Sequence, residues 1–569
     1  MSPPVAATIS IRNALAMLDG PKREIADGVA NDSYVFWLGS GISREKMPDL
    51  RDLAKRVLVT LQGRIDQADA NCRYRKALAT VVGVAGPSAA EWARIDDAVN
   101  PEHWPDFDAL AGRLVNSYAR MLNITVDNEE ADFLLWDVLD AARVYSDATV
   151  GPDAEHLCLA ALAIEGVASE LPTANWDPLI ERAVATLAGS LPILRVVVHP
   201  EDLRVGRRRA NLYKFHGCAE AARANPARFR SLLVARENQI NRWPATNAVM
   251  GGNLLQLIVT KPTLMLGLSA QDSNIQGLFA EAQARMPWRW PAHPPAYAFA
   301  ENALGGGQEG LLQNVYHLDY SVANRPQMEA EALVQAYAKP LLLALLLYVL
   351  TTKLKVLVDH RLPGLAPADR QKLHDGLVAA RNLMASGLTP RADAVLELLQ
   401  HVGRTLVMLR EGAVPGPAAG MYSPLSIQPA DQMLGDPALA ASGLCQFAVA
   451  SSLIGLGLDR GLWTATKADT TDPASGAIIL IGRSGPAKIY FAATPQAAIQ
   501  LGTNGLMAAN DDGIIVHSQE NPPAMPRYPR RALGRTVLAA LRQVSIDELV
   551  AGGSEVEDML DRFRNAVAL

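Results

Sequence analysis

Four short stretches of this chain carry side chains that suit chemistry: Gly39-Ser40-Gly41-Ile42-Ser43, Thr173-Ala174-Asn175-Trp176-Asp177, Lys214-Phe215-His216-Gly217 and Gly267-Leu268-Ser269-x-x-Asp272. Two glycines after an apolar run leave backbone N–H groups open to a phosphate, and a helix opening behind them adds its positive end. Ser43 offers a hydroxyl to a phosphate or a ribose, or equally to a helix cap. Asn175 presents a carbonyl and an amide, enough to hold a water or hydroxyl at a reacting carbon; an Asx turn uses the same side chain. Asp177 precedes Pro178 and suits an N-cap, with the proline at the first helical position. His216 stands before a glycine at a strand end and can take a proton near neutral pH. A buried, satisfied histidine is the plainer alternative for it. Asp272 reads as a second helix cap.

These segments gain meaning from the elements that must hold them. Residues 34–38 read as a buried strand running into Gly39. The apolar spacing over 50–61 predicts an amphipathic helix leaving the turn, with Asp49 as its N-cap. Further strands are expected to end at 171–173 and to span 194–199, 212–215, 231–234, 263–267, 296–300 and 315–318. Helices are expected at 178–187 and 275–284. Strands alternating with helices predict the α/β class, a Rossmann-like, doubly wound parallel sheet. Such sheets bind ligands outside the carboxyl ends of their strands, and each polar segment follows such an end.

By pattern the chain divides into a helical lead-in at 1–30, an α/β domain at 31–320 with a helical insertion at 65–165, a helical region at 321–411, a Pro-, Gly- and Ala-rich linker or long loop at 412–440, and a smaller α/β domain at 441–569. The last is expected to hold strands at 477–481, 489–492 and 513–517 and helices at 531–542 and 555–568. The turn Gly482-Arg483-Ser484-Gly485 reads as an ordinary hairpin turn.

The 569 residues are 49% hydrophobic and 20% charged, with a net charge of −6. That is ample for packed cores and far from the disordered class. No basic excess points to nucleic acid, and Arg204, Arg207, Arg208 and Arg209 read as a solvated face. Cys72, Cys158, Cys218 and Cys445 form no C-x-x-C pair. This disfavours a disulfide scaffold or a cysteine zinc site and suits a reducing cytosol. The N-terminus lacks the pattern of a secretory signal, so a cytoplasmic location is expected. Residues 340–350 are apolar without a break, but Lys339 and Lys353 bracket them more closely than the roughly 20 residues of a bilayer span. They read as a buried helix, or else as a subunit-packing one that points to self-assembly.

The order and spacing of the four segments resemble the sirtuin superfamily over roughly residues 30–320. Its usual pattern runs Gly-Ala-Gly-Ile-Ser, Thr-x-Asn-x-Asp, His-Gly, Gly-x-Ser. Ser40 replaces the usual alanine, and Trp176 stands where a smaller or aliphatic residue is usual, which would reshape the nicotinamide pocket. The resemblance implies NAD+ as the ligand. Gly39, Ser40, Gly41, Ile42 and Ser43 would lie at the pyrophosphate, Asp177 at the nicotinamide carboxamide, and Gly267 and Ser269 along the adenosine. His216 would meet the ribose hydroxyls, and Asn175 would hold a water at the anomeric carbon.

Sirtuin deacylases normally carry a zinc module with two C-x-x-C pairs; the sequence has none, so no zinc is expected. A zinc-free sirtuin-like domain with a long C-terminal region resembles the NAD-consuming effectors of bacterial anti-phage defence. These cleave the nicotinamide–ribose bond once a partner senses infection. The implied activity is that of an NAD+ nucleosidase, with abortive infection as its purpose. A deacylase without the zinc module, and a regulatory subunit that binds NAD or a related nucleotide without turnover, are the alternatives. A homo-oligomer, a partner protein or both are expected, with a short Argonaute and a HerA-type ATPase as the candidate partners; a nucleotide sensor is the other reading of the C-terminal half. No membrane partner is expected.

Overall fold

The computed structural model describes residues 5–206, 208–416, 420–439, 442–469, 472, 475–507, 513–518, 542–551, 555–567 and 569. Seven strands form the first sheet: β1 (Val35–Leu38), β2 (Glu170–Thr173), β3 (Leu194–Val197), β4 (Ala210–Lys214), β5 (Thr263–Leu266), β6 (Tyr297–Ala300) and β7 (Leu333–Val334). Their order is β3-β4-β2-β1-β5-β6-β7 and every pair is parallel. From β1 the chain adds β2, passes to the edge strand β3 and returns to place β4 between them, then crosses to β5 on the other side of β1. β1 and β5 therefore flank the topological switch point, where an open α/β sheet leaves a crevice.

Successive side chains of a strand point to opposite faces, and here both faces are covered. Phe36, Leu38, Leu264, Leu266, Ala298 and Ala300 enter one core, while Val35, Trp37, Met265, Tyr297 and Phe299 enter another. Trp37 stacks at a tilt on Phe279 and Phe215, at 5.0 and 5.8 Å between ring centroids. This double burial explains why the strands read as unbroken apolar runs.

Several expected elements take another form. Residues 231–234 are not a strand: a 3-10 turn covers Arg230–Leu232, and one backbone bond joins Val234 N–H to His216 O at 3.0 Å. Residues 315–318 end the helix Gly306–Tyr316 and begin a 3-10 turn. Leu311, Leu312 and Val315 all lie on its buried face, so the apolar run follows the helical period. The sheet closes instead on the two-residue β7, inside a stretch expected to be helical. The expected helix at 531–542 lies outside the described residues up to 541, and Arg542 opens a strand.

Residues 65–165 hold several short helices, whose Leu78, Leu110, Leu114 and Leu135 share a core with Leu53 and Val57 of the helix that leaves the glycine turn. The helix Leu50–Gly63 that leaves the glycine turn is capped by Asp49, whose Oδ1 accepts from Arg51 and Asp52 N–H at 2.8 and 3.0 Å. Beyond β7 run three long helices, Ala338–Arg361, Pro367–Gly387 and Ala392–Glu411. Among the described helices, Ala338–Arg361 alone has the length and apolarity of a membrane span, but 78% of its apolar window is buried inside the protein. Leu341, Leu342, Leu343, Leu345 and Leu346 pack into the core that also holds Ile489, Phe491, Ile514 and Val516 of the second sheet. That sheet runs β12-β11-β10-β9-β8, from β8 (Thr464–Lys467), β9 (Ile478–Gly482), β10 (Gly485–Ala492), β11 (Gly513–His517) and β12 (Arg542–Ser545).

The Pro-rich stretch after residue 412 crosses back over the first sheet's helices. Met421 and Tyr422 N–H donate to Leu187 O, and Ala430 N–H donates to Ala30 O. Beneath it lies a fully buried ion pair. Lys353 Nζ donates to Glu165 Oε2 and Glu165 O at 2.7 Å and to Ser426 O at 2.8 Å. Glu165 Oε1 accepts from Tyr422 OH at 2.6 Å and Leu425 N–H at 3.0 Å.

Candidate active site

The four central strands end at one level. Leu38 pairs with both Thr173 and Leu266, and Thr173 pairs with Lys214. The residues that follow, Gly39, Ala174, Phe215 and Gly267, start four loops from a single row at the carboxyl edge. The four chemically suggestive segments of the sequence are these loops.

Glycines lock the two middle loops together. Gly39 N–H donates to Leu266 O and Gly41 N–H to Gly267 O, each at 3.0 Å. A Cβ on Gly39 would fall 2.4 Å from Gly267 O, and one on Gly41 2.6 Å from Gly267 Cα. Gly267 itself holds φ +61°, and a Cβ there would meet Gly41 Cα at 2.7 Å. Backbone against backbone leaves no room for a side chain at any of the three positions. Ser40 and Gly41 stay exposed at the tip, while Ile42 turns down into the core. Ser269 is exposed at the far end of the β5 loop.

Ser43 lies buried under the turn, where two side chains converge on its oxygen. Asn175 Nδ2 donates to Gly39 O at 3.1 Å and to Ser43 Oγ at 3.3 Å. His156 Nε2 lies 3.1 Å from the same Oγ. Its tautomer follows from the other ring nitrogen. Asp153 N–H donates to His156 Nδ1 at 3.1 Å, so the neutral ring carries its hydrogen on Nε2 and donates to Ser43. Burial pushes the His156 pKa down to about 4, which keeps the ring neutral at physiological pH. Ser43 Oγ thus accepts twice, and its own hydrogen is free to donate elsewhere.

Asn175 is 8% exposed, and its N–H is fixed to Thr173 Oγ1 at 3.0 Å. Its Oδ1 is buried with no hydrogen-bond partner among the described residues. An acceptor left in that state is costly, so it suits a water or a ligand hydroxyl. Asp177 uses its carboxylate as expected of a cap, accepting from Leu179 N–H at 3.2 Å. The main chain beside it is held by Lys214, whose Nζ donates to Asp177 O at 2.6 Å and Glu181 Oε1 at 2.8 Å. Trp176 packs edge-on against Tyr145 of the insertion, with centroids 5.2 Å apart.

His216 is 4% exposed, two strands from β1. Its Nε2 meets Asn274 Nδ2 at 2.9 Å. Either orientation of the Asn274 amide satisfies this contact. A general-base role requires the one in which Nε2–H donates to Oδ1 and Nδ1 is left unprotonated. Burial lowers the His216 pKa below the usual histidine range, against the pull of the Asp272 carboxylate. Asp272 precedes the helix Ser273–Arg285 but its side chain makes no cap there. Instead its Oδ1 accepts from Tyr118 OH of the insertion at 2.7 Å, which corrects the capping role expected for it.

A family model described as SIR2-like domain matches residues 169–321, the stretch that carries Asn175, Asp177, His216, Gly267 and Ser269. The match supports a sirtuin-like domain in this part of the chain, and such a domain suggests a sirtuin-type, NAD-related function. A comparison with curated proteins found no match. The glycine turn at 39–43 precedes the matched residues, yet pairing of β1 with β2 and β5 brings it to the same edge.

Sequence reasoning missed His156, Asn274 and the Lys214–Glu181 pair. A signal existed for the first: His156 is the one histidine in the wholly buried helix Ala154–Ile164, three residues after the capping Asp153. Asn274 and Glu181 carried no such mark, because their partners are distant in sequence. Among the described residues, no three His, Cys, Asp or Glu side chains gather to hold a metal ion.

Proposed function

We propose that this protein hydrolyses NAD+ at the nicotinamide–ribose bond. The observation that carries the reading is Asn175, held by Gly39 O and Ser43 Oγ while its buried Oδ1 has no partner among the described residues. That oxygen is suited to fix a water or ribose hydroxyl at the reacting carbon. When the carbon–nitrogen bond breaks, its electron pair leaves with the nicotinamide, which departs neutral. The ribose carbon passes through an oxocarbenium-like state, water adds to it, and one proton is released. His216, neutral by burial, is the group that takes a proton from a ribose hydroxyl or the water. Asp177 holds the leaving group and the exposed tip at Ser40 meets the pyrophosphate; the Gly39 and Gly41 N–H groups are taken by Leu266 O and Gly267 O, so these glycines serve by close backbone approach and not as the phosphate donors expected of them. Gly267 and Ser269 line the adenosine.

The biological reading follows the resemblance to NAD-consuming defence effectors. The protein acts in the cytoplasm and depletes NAD+ in infected cells once a partner releases it. The test is nicotinamide release from NAD+ by the purified chain, with and without proteins that co-purify with it, beside Asn175→Ala and His216→Ala. Release that both substitutions abolish supports the assignment. Equal release by all three proteins would falsify it. Release that depends on an added acyl-lysine peptide would favour a deacylase instead.

A further inference from the structure

Lys339 lies outside the sirtuin-like match, second residue of the long apolar helix, yet its ammonium reaches the glycine turn. Its Nζ lies 2.9 Å from Glu45 Oε2, 3.1 Å from Asp153 Oδ2 and 3.8 Å from Glu155 Oε2. Glu45 follows Ser43 by two positions in the turn. Asp153 caps the helix Ala154–Ile164, and its N–H sets the tautomer of His156. The Asp153 and Glu155 side chains are each only 9% exposed. One cation therefore ties together the two segments that meet at Ser43 Oγ.

We infer that Lys339 is a positioning residue for the nucleotide site, supplied by the region that follows the sirtuin-like domain. The inference rests on the reading that the site binds NAD+. Lys339 holds Glu45 and Asp153 against each other's repulsion, and so fixes the distance from the turn to the helix cap. With the cation gone, the Glu45 and Asp153 carboxylates face one another and their like charges push the segments apart, while burial raises the Glu155 pKa to about 8 and keeps that carboxyl largely protonated. The His156–Ser43 contact then lengthens, and Asn175 loses the Ser43 oxygen that orients its amide. Any movement of the helix Ala338–Arg361 is transmitted to the same contact, so the C-terminal region has a direct hold on the site.

The test compares the full chain with Lys339→Met, Lys339→Arg and Lys353→Met, using NAD+ as the probe in calorimetric binding and in nicotinamide release. Lys339→Met should weaken NAD+ binding about tenfold and raise KM in step, the effect of losing roughly one well-placed charge contact. Lys339→Arg keeps the charge and should recover most of the affinity. Lys353→Met, on the same helix, should lower the melting temperature without changing Kd for the folded protein. An unchanged Kd in Lys339→Met overturns the inference. So does an equal loss in Lys353→Met, which would make the effect one of general stability. If the wild type binds NAD+ but never releases nicotinamide, the hydrolase reading fails and the Kd comparison still decides the role of Lys339. If it binds no NAD+, both fail.

Discussion

Ser43 Oγ accepts from Asn175 and His156 together, so a change at one of them reaches the others. Asn175→Ala removes the oxygen proposed to fix the attacking water and should lower kcat about a hundredfold or more, measured as nicotinamide release. The pH dependence follows from the two buried imidazoles. His216 has its pKa lowered by burial, and the neutral ring is the form proposed to act as base. The acid limb of kcat/KM should therefore lie below the ordinary histidine value of about 6.5, and His216→Ala should remove it. For stability the sign runs the same way. His156 titrates near 4 in the folded protein, whereas an unfolded histidine titrates near 6.5. Its contribution is complete above about 6.5 and is lost as pH falls toward 4, because the unfolded chain then binds the proton that the folded chain refuses. The melting temperature of the wild type should fall across that window more steeply than that of His156→Gln.

Between the strands, the glycine contacts set the tolerance of the two central loops. Gly267→Ala places a Cβ at φ +61° and 2.7 Å from Gly41 Cα, with backbone on both sides and nothing that can give way. The expected cost is about 1–3 kcal/mol of stability, seen in a denaturant titration, together with weakened NAD+ binding. These elements also show what a sequence can reveal. The strands β1 and β5 were legible because burial on both faces leaves unbroken apolar runs. The four site loops were legible because each carries polar residues straight after such a run. The segment at 315–318 was misread because a short apolar run looks alike on a strand and on a buried helix. β7 is two residues long and carries no pattern at all. His156, Asn274 and Lys339 went unseen as site residues for a different reason: each acts through a partner far away in the chain, and no local spacing encodes that distance.

At the scale of the molecule, the sirtuin-like sheet and the C-terminal sheet share one core through the helix Ala338–Arg361, and the pair Lys353–Glu165 sits at 0% exposure where the Pro-rich stretch crosses it. Lys353→Ala would take from the buried Glu165 carboxylate the ammonium that hydrogen-bonds it, leaving only the more distant Arg209 and Arg410 as counter-charges, at a cost of about 3 kcal/mol in a denaturant titration. Replacing both members with apolar residues of similar volume should cost far less, since it is the stranded charge that is expensive. The single level at which Leu38, Thr173, Lys214 and Leu266 end bears on how such a chain is made. On a ribosome, β1 emerges early and waits for β2 until the whole insertion has followed, and for β5 longer still. Contacts so far apart in sequence form slowly. The four loops of the crevice are therefore all present only once residue 272 has been made, and Lys339 arrives later than all of them. A nascent chain that stops short of the long apolar helix would carry every glycine of the turn and still lack the Lys339 contact, so on the proposed reading it would bind NAD+ more weakly than the full chain.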